Sequence, residues 1–259
     1  MINKSQIIDA FQKIGLERGD VVFTHANLAL FGLIESVSSR NDLYRLWLTL
    51  FCDYLGNDGM LVVPAFTYSF NSIDDKGYFD LDQEPSFPGM ASYALNYKVN
   101  YARSMDPMLS VMCFGARAEE FVKDIDKNCF GSQSIWARLL AEDAKLVNLN
   151  LDSASTFLHY VEYVAKVKYR REIKMTGKIK FNDETVSKSE IIYFGRSKPD
   201  DETTLENFKN YHHLATKTGI NQRFNLGRGV INISKFTEIL EFTMYQLNKD
   251  PNFLIKGHL

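Results

Sequence analysis

A histidine and a glutamate one helical turn apart are the residues in this sequence best suited to do chemistry. His159 and Glu162 lie in an apolar stretch, residues 155–167, whose pattern predicts a helix. Side chains three positions apart share a helix face, so the carboxylate can fix the tautomer of the imidazole and raise its basicity. Such a base suits a reaction that removes a proton from an amine. A purely structural His-Glu pair would have the same spacing, and spacing alone favours that alternative.

A short polar segment follows the first predicted strand. Residues 24–32, which include His25 and Asn27, begin at the end of the apolar run 21–25. In α/β sheets, ligands bind beyond the carboxyl ends of the strands, where backbone amides can hold a phosphate or an amide chain. The structural alternative is a connector in which Asn27 caps the next turn, because the segment matches no glycine-rich phosphate motif.

Charged residues concentrate in three other segments. Arg103 could grip a carboxylate or a phosphate, or could pair with a surface acid beside the turn at Pro107. The run 166–180 is rich in lysine and arginine and could meet phosphates, although a solvated strand face is the more common role of such a run. The stretch 74–84 is acidic and would suit a polycationic ligand.

Composition narrows the classes of protein to consider. The hydrophobic fraction of 45% is that of a globular protein, and a net charge of -2 argues against a general nucleic-acid binder. Cys52, Cys113 and Cys129 show no CxxC spacing, so we expect neither a zinc site nor disulfides, as in a reducing cytoplasm. No HExxH or histidine-aspartate cluster predicts a metal. The polar start and the lack of about 20 consecutive apolar residues predict neither a signal peptide nor a membrane span.

The elements that must position these residues alternate along the chain. Apolar runs of strand type occur at 21–25, 60–64, 110–114 and 146–151, and helical patterns occur at 7–14, 43–54, 135–140 and 155–167. This alternation predicts an α/β domain with a central β-sheet covered by helices on both faces. A more polar, strand-like stretch at 166–201 predicts a β excursion after the His159–Glu162 helix, and a last helix follows Ser234. No repeat or linker divides the chain, so we expect a single domain over residues 1–259.

In their order along the chain, these segments resemble the aminoglycoside 3-N-acetyltransferase family, also called the antibiotic N-acetyltransferase family. Residues 156–162 read T-x-x-H-x-x-E, like the family's site. Each similar segment is loose alone, but several at compatible spacing are much more specific. The resemblance implies the family's own α/β fold, with acyl-CoA as donor and an amino sugar as acceptor. The similar segments are residues 19–28, 55–67, 103–110, 131–134, 156–162 and 226–229.

The resemblance also implies roles for individual residues. His159 is the general base, and Glu162 orients it. Coenzyme contacts are expected from His25, Ala26, Asn27, Leu28, Thr67, Arg103, Ser104 and Ser110. Acceptor contacts are expected at Asp106 and Thr156 and, because of the acidic stretch, at Asp74 and Asp80.

The expected reaction is direct transfer without an acyl-enzyme. His159 takes a proton from the sugar ammonium, and the amine then attacks the thioester. The oxyanion is expected to meet loop amides near Asn27 and Leu28 or the hydroxyl of Ser110. Cys113 and Cys129 have no base beside them in the sequence, so neither is predicted to be a nucleophile. Acetyl is the default acyl group.

Two departures from the family pattern bear on the acceptor. Ala26 and Asn27 stand where the family has two hydroxyl residues, so backbone contacts are expected there. Asp106 stands where the family has histidine, which counts against an antibiotic acceptor. Residues 169–177 are similar to relatives found with surface-polysaccharide genes, so a nucleotide-linked or surface-polysaccharide amino sugar is the leading expectation. An aminoglycoside is the first alternative and a catalytically silent CoA- or sugar-binding module the second. A monomer or homodimer is expected.

Overall fold

The computed structural model describes residues 1–70, 77–181 and 184–255, and a seven-stranded mixed sheet forms its centre. The sheet order is β4-β5-β2-β1-β6-β10-β9. The middle strands β2, β1 and β6 are parallel to one another, and the strands on either side join them in antiparallel fashion. The strands of the molecule are β1 Val21–Phe23, β2 Met60–Pro64, β3 Tyr78–Phe79, β4 Ala102–Arg103, β5 Val111–Phe114, β6 Lys145–Leu149, β7 Arg170–Lys180, β8 Val186–Arg196, β9 Gln222–Leu226 and β10 Gly229–Lys235.

Helices connect and cover these strands. None of the described helices is long and apolar enough to cross a membrane. Short 3₁₀ turns occur at Leu28–Phe31 and Glu202–Thr204. The α-helices are α1 Lys4–Lys13, α2 Arg40–Leu55, α3 Met90–Asn96, α4 Ala118–Val122, α5 Ile135–Ala141, α6 Phe157–Ala165, α7 Lys209–Lys217 and α8 Phe236–Lys249.

Both faces of the central sheet are buried, as the alternating sequence pattern predicted. Successive side chains of a strand point to opposite faces. In β1, Val21 and Phe23 pack into one hydrophobic cluster, and Val22 packs into the other. The first cluster contains the buried faces of α5, α6 and α8, and the second contains those of α1, α2 and α3. Strands buried on both sides explain why 60–64 reads as a continuous apolar run.

Local signals in the sequence account for the helix bounds. Ser39 accepts a hydrogen bond from the amide of Asp42 and begins α2, and Gly56, with a φ of 73°, ends it. Asn3 and Gln6 form a reciprocal capping box at the start of α1. Ser134 begins α5 by accepting a hydrogen bond from the amide of Ala137. These caps explain why the helices begin where the apolar periodicity starts.

The polar excursion after α6 is a second, smaller sheet, as expected. Its strand order is β3-β7-β8, and β7 and β8 form a long antiparallel hairpin over residues 170–196. Three features were not anticipated: the short helices α3 and α4, the helix α7, and the β9–β10 hairpin, which turns at Gly227 with a φ of 59°.

The parallel strands determine where a site can form. Because β2, β1 and β6 run in the same direction, their carboxyl ends meet at one edge of the sheet. The loops that follow them, residues 24–28, 65–70 and 150–156, therefore lie together at that edge. The last of these loops leads directly into α6. This is the edge at which ligands bind in α/β proteins.

Candidate active site

His159 and Glu162 form a close pair across the first two turns of α6. The Nδ1 atom of His159 lies 2.6 Å from Oε2 of Glu162. Glu162 is fully buried, whereas the His159 side chain keeps 16% of its surface exposed. The other ring nitrogen, Nε2, has no hydrogen bond to any residue that the structure describes. The pair therefore has a buried acid behind the imidazole and an open face in front of it.

Two residues that follow α6 close the back of this pair. The helix ends at Lys166, whose φ of 53° reverses the chain. The reversal places Tyr169 so that its hydroxyl donates to Oε1 of Glu162 at 2.8 Å, and places Nε of Arg170 at 2.7 Å from Oε2 of Glu162. Sequence reasoning placed Arg170 in a basic run and both residues in the segment similar to surface-polysaccharide relatives, but it identified neither as a site residue.

The segment after the second 3₁₀ turn forms another wall of the site. The ring centroids of Phe208 and His159 are 5.4 Å apart. Glu206 pairs with Nη2 of Arg170 and keeps a third of its side chain exposed. Partial burial tends to raise the pKa of Glu206. A backbone hydrogen bond and the nearby charges of His159 and Arg170 outweigh it and lower this pKa below its usual range.

The loop after β1 is tied to the end of β6 by its backbone. The amide of Leu149 donates to the carbonyl of His25, and the amide of Asn27 donates to the carbonyl of Leu149, both at 2.8 Å. Asn150 donates to the carbonyl of Asn27, and Leu28 is buried. The Asn27 amide is thus already engaged within the protein, so it does not fit the expected role of oxyanion donor.

A cavity of about 310 Å³ lies at the carboxyl ends of the parallel strands. Its walls include His25, Ala26, Phe66 and Thr156. Thr156 precedes His159 by one turn, and its carbonyl accepts the amide of His159. His159 itself is not among the lining residues. The cavity thus brings the first-strand loop next to the start of α6.

His25 is unusual among the lining residues of this cavity. Its Nε2 atom is buried and has no hydrogen-bond partner among the described residues. Its ring packs edge-on against Phe23, with centroids 4.9 Å apart. Burial lowers the pKa of His25 to about 4, so the ring is neutral near pH 7.

The guanidinium of Arg103 is engaged by contacts within the protein and is not free to bind a phosphate. Its guanidinium donates to the backbone carbonyls of Leu81, Gln83 and Ala65 and approaches the hydroxyl of Ser110 at 3.2 Å. The side chain is buried. Burial lowers the pKa of Arg103 to about 10, so the guanidinium is still a cation at neutral pH. The structure therefore corrects this expectation: Arg103 holds loops together.

The hydroxyl groups expected to contact the coenzyme are also occupied. Ser110 donates to the carbonyl of Ala65 at 2.6 Å, and Thr67 donates to the carbonyl of Pro107 at 2.9 Å. Ser104 accepts the amide of Val111 at 2.9 Å. All of these serines and threonines are buried. They do not fit the coenzyme contacts expected of them, since their hydrogen bonds stay inside the protein.

The expected acceptor residues are separated in space. Asp106 accepts the amides of Met108 and Leu109 at 2.8 and 2.9 Å and lies 3.5 Å from Sγ of Cys129. Asp106 and Asp80 line a second cleft, of about 1380 Å³, whose lining includes neither Thr156 nor His159. The structure does not bring these aspartates to the His159 pair. Asp74 lies outside the described residues.

The basic run is not a free phosphate-binding surface either. Arg170 is buried between Glu162 and Glu206. Lys174 pairs with Glu190 across the β7–β8 hairpin, and Lys180 pairs with Glu184. Much of the run is therefore a solvated strand face neutralised by neighbouring acids.

The remaining candidate groups contribute no chemistry of their own. His212 on α7 accepts the amide of Ser153 at 3.1 Å and so supports the loop before α6. Burial raises the pKa of both the Cys113 and Cys129 thiols, which argues against either as a nucleophile. In the described part of the chain, no group of three or more His, Cys, Asp or Glu could hold a metal.

A buried acid behind a partly exposed histidine, at the carboxyl edge of a parallel sheet core, suits proton abstraction in group transfer and supports an acetyltransferase. A sequence profile described as aminoglycoside 3-N-acetyltransferase matches residues 32–248. The chain therefore belongs to the aminoglycoside 3-N-acetyltransferase family, which confirms the resemblance seen in its motifs. No curated protein sequence matches the chain.

Solved structures of similar proteins share the fold. Aminoglycoside acetyltransferase AAC(3)-IVa, as an apoenzyme, has a TM-score of 0.74 at 20% identity, covering 98% of this chain and 92% of that one. AAC-IIIb in a binary complex with CoASH has a TM-score of 0.80 at 18% identity, covering 95% and 96%. AAC-VIa bound to sisomicin has a TM-score of 0.75 at 18% identity, covering 95% and 97%.

Proposed function

We propose that this protein is an acetyl-CoA-dependent N-acetyltransferase that acetylates the 3-amino group of an aminoglycoside, with His159 as the general base. The family match and the similar structures, which include complexes with CoASH and sisomicin, support this acceptor class. They favour it over the nucleotide-linked amino sugar that the sequence pattern had placed first. The observation that carries the proposal is the His159–Glu162 pair, with Glu162 fully buried and His159 partly exposed.

The pair can perform the proton transfer that acetylation of an amine requires. An ammonium group has no lone pair, so it must lose a proton before it can attack a carbonyl. His159 accepts that proton at Nε2, because Nδ1 is engaged by Glu162. The free amine then attacks the carbonyl carbon of the thioester and forms the amide bond. The carbon–sulfur bond breaks, the attacking nitrogen gives up its second proton, and the CoA thiolate takes up a proton and leaves as the free thiol.

Glu162 serves this step in two ways. Its hydrogen bond places the imidazole proton on Nδ1 and leaves Nε2 as the acceptor. Its negative charge stabilises the imidazolium that forms once His159 has taken the proton. A positioned base of this kind contributes typically ~10²–10⁴ in rate.

The cavity at the carboxyl edge suits the acyl-bearing arm of the coenzyme. The arm is a chain of amide groups and methylenes, which calls for apolar walls and backbone groups rather than a cluster of charges. The cavity offers apolar walls such as Phe66 and Met90, together with the 24–28 loop. Ala26 lines it and Asn27 is exposed beside it, in the place where the family has hydroxyl residues.

A polycationic acceptor is consistent with the charges around His159. Glu206 lies beside the histidine and carries a partly exposed carboxylate. Asp152, on the loop before α6, is 60% exposed. A nucleotide-linked sugar would instead need free cations there, and Arg170, which lies against Glu162, is already paired with two carboxylates. Acetyl is proposed as the acyl group.

The proposal includes a cytoplasmic location, because the three cysteines are free and acetyl-CoA is a cytoplasmic metabolite. A monomeric or homodimeric state stays a prediction.

The test is a product analysis with matched acceptors. The protein is incubated with acetyl-CoA and with a panel of aminoglycosides, nucleotide-linked amino sugars and simple amino sugars, and products are read by mass spectrometry. We expect an added acetyl group on aminoglycosides, and NMR should place it on the 3-amino group. The matched control is the same aminoglycoside already acetylated at that position, which should not react.

Expression in a sensitive bacterial strain supplies a second readout. We expect higher tolerance of aminoglycosides that carry a free 3-amino group. Thiol release with nucleotide-linked sugars alone would instead establish the biosynthetic alternative. Coenzyme binding without transfer to any acceptor would establish a silent binding module and overturn the proposal.

A further inference from the structure

Glu162 has more partners than a simple histidine–acid pair requires. Both of its carboxylate oxygens are engaged: Oε1 by the hydroxyl of Tyr169, and Oε2 by His159 and by Nε of Arg170. The carboxylate is fully buried, so these contacts replace its water. A buried carboxylate without such partners would be costly in free energy.

We infer that Tyr169 and Arg170 are positioning residues for acetyl transfer: together they fix the Glu162 carboxylate so that it holds His159 in one orientation and one tautomer. The inference rests on the proposed function, since it concerns the base of that reaction. Both side chains are buried, with Tyr169 8% and Arg170 5% exposed. Both therefore act through Glu162 and do not touch the substrates.

The geometry gives each residue a separate task. Arg170 supplies the positive charge that a buried carboxylate needs, and it approaches the same oxygen that binds His159. Tyr169 holds the opposite oxygen, which prevents the carboxylate from rotating about its terminal bond. Burial and the neighbouring carboxylate raise the pKa of the Tyr169 hydroxyl, so it stays a protonated donor. Partners of this outer kind commonly fix the tautomer of a histidine elsewhere.

The position of Glu206 argues against a merely structural ion pair. Arg170 already has a carboxylate partner in Glu206, at its Nη2 atom, and a backbone partner in the carbonyl of Phe194. These contacts give the guanidinium a counter-ion and a backbone acceptor that do not involve the catalytic pair. Its Nε nevertheless lies 2.7 Å from Oε2 of the acid that supports the base, in ion-pair contact without a hydrogen bond. The reversal at Lys166 brings Tyr169 and Arg170 to Glu162 at the same time.

The test compares Tyr169→Phe and Arg170→Gln with a matched control. Tyr163→Phe removes a hydroxyl from the same helix as Glu162, and that hydroxyl contacts Asn128 rather than the acid. The first readout is the ¹⁵N spectrum of the histidine rings, where the His159 signal is the one missing from His159→Ala. We expect a single tautomer with Nδ1 protonated in the native protein and in the control. In Arg170→Gln the two ring nitrogens should shift towards averaged values.

The second readout is steady-state kinetics with acetyl-CoA and an aminoglycoside. We expect kcat to fall about 10-fold in Tyr169→Phe and about 100-fold in Arg170→Gln, the range seen when outer partners of a histidine are lost. The KM for acetyl-CoA should change less than about twofold, because neither residue contacts the coenzyme. In a His159→Ala background, both substitutions should lower kcat by less than about twofold, since the base they position is gone.

Equal losses of kcat with and without His159 would overturn the inference, because a structural role acts in both backgrounds. An unchanged ring spectrum together with an unchanged kcat in Tyr169→Phe would also overturn it. This variant deletes a single oxygen, so it decides the matter even where Arg170→Gln fails to fold. Absence of acetyl transfer by the native protein contradicts the proposed function instead, and the ring spectra then still decide whether His159 is positioned.

Discussion

The His159 cluster and the Arg103 cluster are both buried polar networks, but they differ in what they leave exposed. In the first, Glu162 is closed in on all sides while His159 keeps an open face. In the second, every donor of Arg103 ends on a neighbouring carbonyl or hydroxyl, and the side chain is 5% exposed. The contrast indicates that a reactive site needs a satisfied support and one unsatisfied atom that faces the substrate. A network that satisfies every atom is a structural clamp.

The largest effect on kcat should follow from removal of the His159 imidazole, whose Nε2 atom is unsatisfied within the described part of the chain. His159→Ala should lower kcat by about 10²–10⁴, because the ammonium then has no positioned base. The affinity for acetyl-CoA, measured by calorimetry, should stay within about twofold, since the imidazole is not a lining residue of the cavity. His213→Ala on α7 is the matched control, as this histidine is exposed. Near-native turnover of His159→Ala would show that the His159 cluster is no more reactive than the Arg103 cluster.

For the Arg103 cluster we expect the opposite outcome, a loss of stability without a loss of activity. Arg103→Met should lower the free energy of unfolding by about 3 kcal/mol, because it leaves several buried carbonyls without donors. Folded protein should retain kcat. Urea unfolding and kinetics on the same sample measure both. Arg45→Met, which removes a 62% exposed arginine, is the control and should cost less than about 1 kcal/mol. A loss of coenzyme affinity with full stability would return Arg103 to the role that the sequence motif suggested.

The two clusters also show how far sequence reasoning reaches. Periodicity located the strands 60–64 and 111–114 and the helix at 157–165 to within a few residues, because buried strands and amphipathic helices leave strong local patterns. The His159–Glu162 contact followed from helical spacing alone. The short helices and the β9–β10 hairpin were missed, since their burial depends on distant partners.

Whether a polar side chain is occupied cannot be derived from local spacing. Arg103 is bound by carbonyls about 20 to 40 positions earlier in the chain, and Arg170 pairs with Glu206, 36 positions later. Tyr169 carried one available signal: it is a neighbour of an arginine directly after a helix that contains a buried acid. The chain reversal at Lys166 that makes the contact depends on a backbone conformation that the sequence does not announce.

His25 provides an intermediate case, a half-buried residue whose Nε2 atom is buried and has no partner among the described residues. Its folded pKa is about 4, below the ordinary 6.5. Between these pH values the unfolded chain binds more protons than the folded protein, so stability falls as the pH falls through this window and is complete above it. Between pH 7 and pH 5 the native protein should lose about 2 kcal/mol more than His25→Gln in urea unfolding. Equal losses would show that the imidazole is not buried as a neutral group.

The smallest effect is expected for Asp106→Asn, which exchanges a single atom. It tests whether Asp106 has a structural role, like Arg103, or a role at the reactive site, like His159. Burial raises the pKa of Asp106, although hydrogen bonds from Leu109 and Met108 act in the opposite direction. Asp106→Asn keeps an oxygen that can accept both amides, so stability should change by less than about 1 kcal/mol and kcat/KM by less than about twofold.

Asp106→Leu completes this comparison because it removes the acceptor altogether. The amides of Met108 and Leu109 would then be buried without partners, at a cost of about 1–3 kcal/mol each. Kinetics of the folded fraction should again be close to native, since Asp106 lies in the cleft that excludes His159. A tenfold rise of the KM for an aminoglycoside in Asp106→Asn, at unchanged stability, would instead place the second cleft in the path of the acceptor. Asp106 would then belong to the reactive site and would not be a purely structural residue.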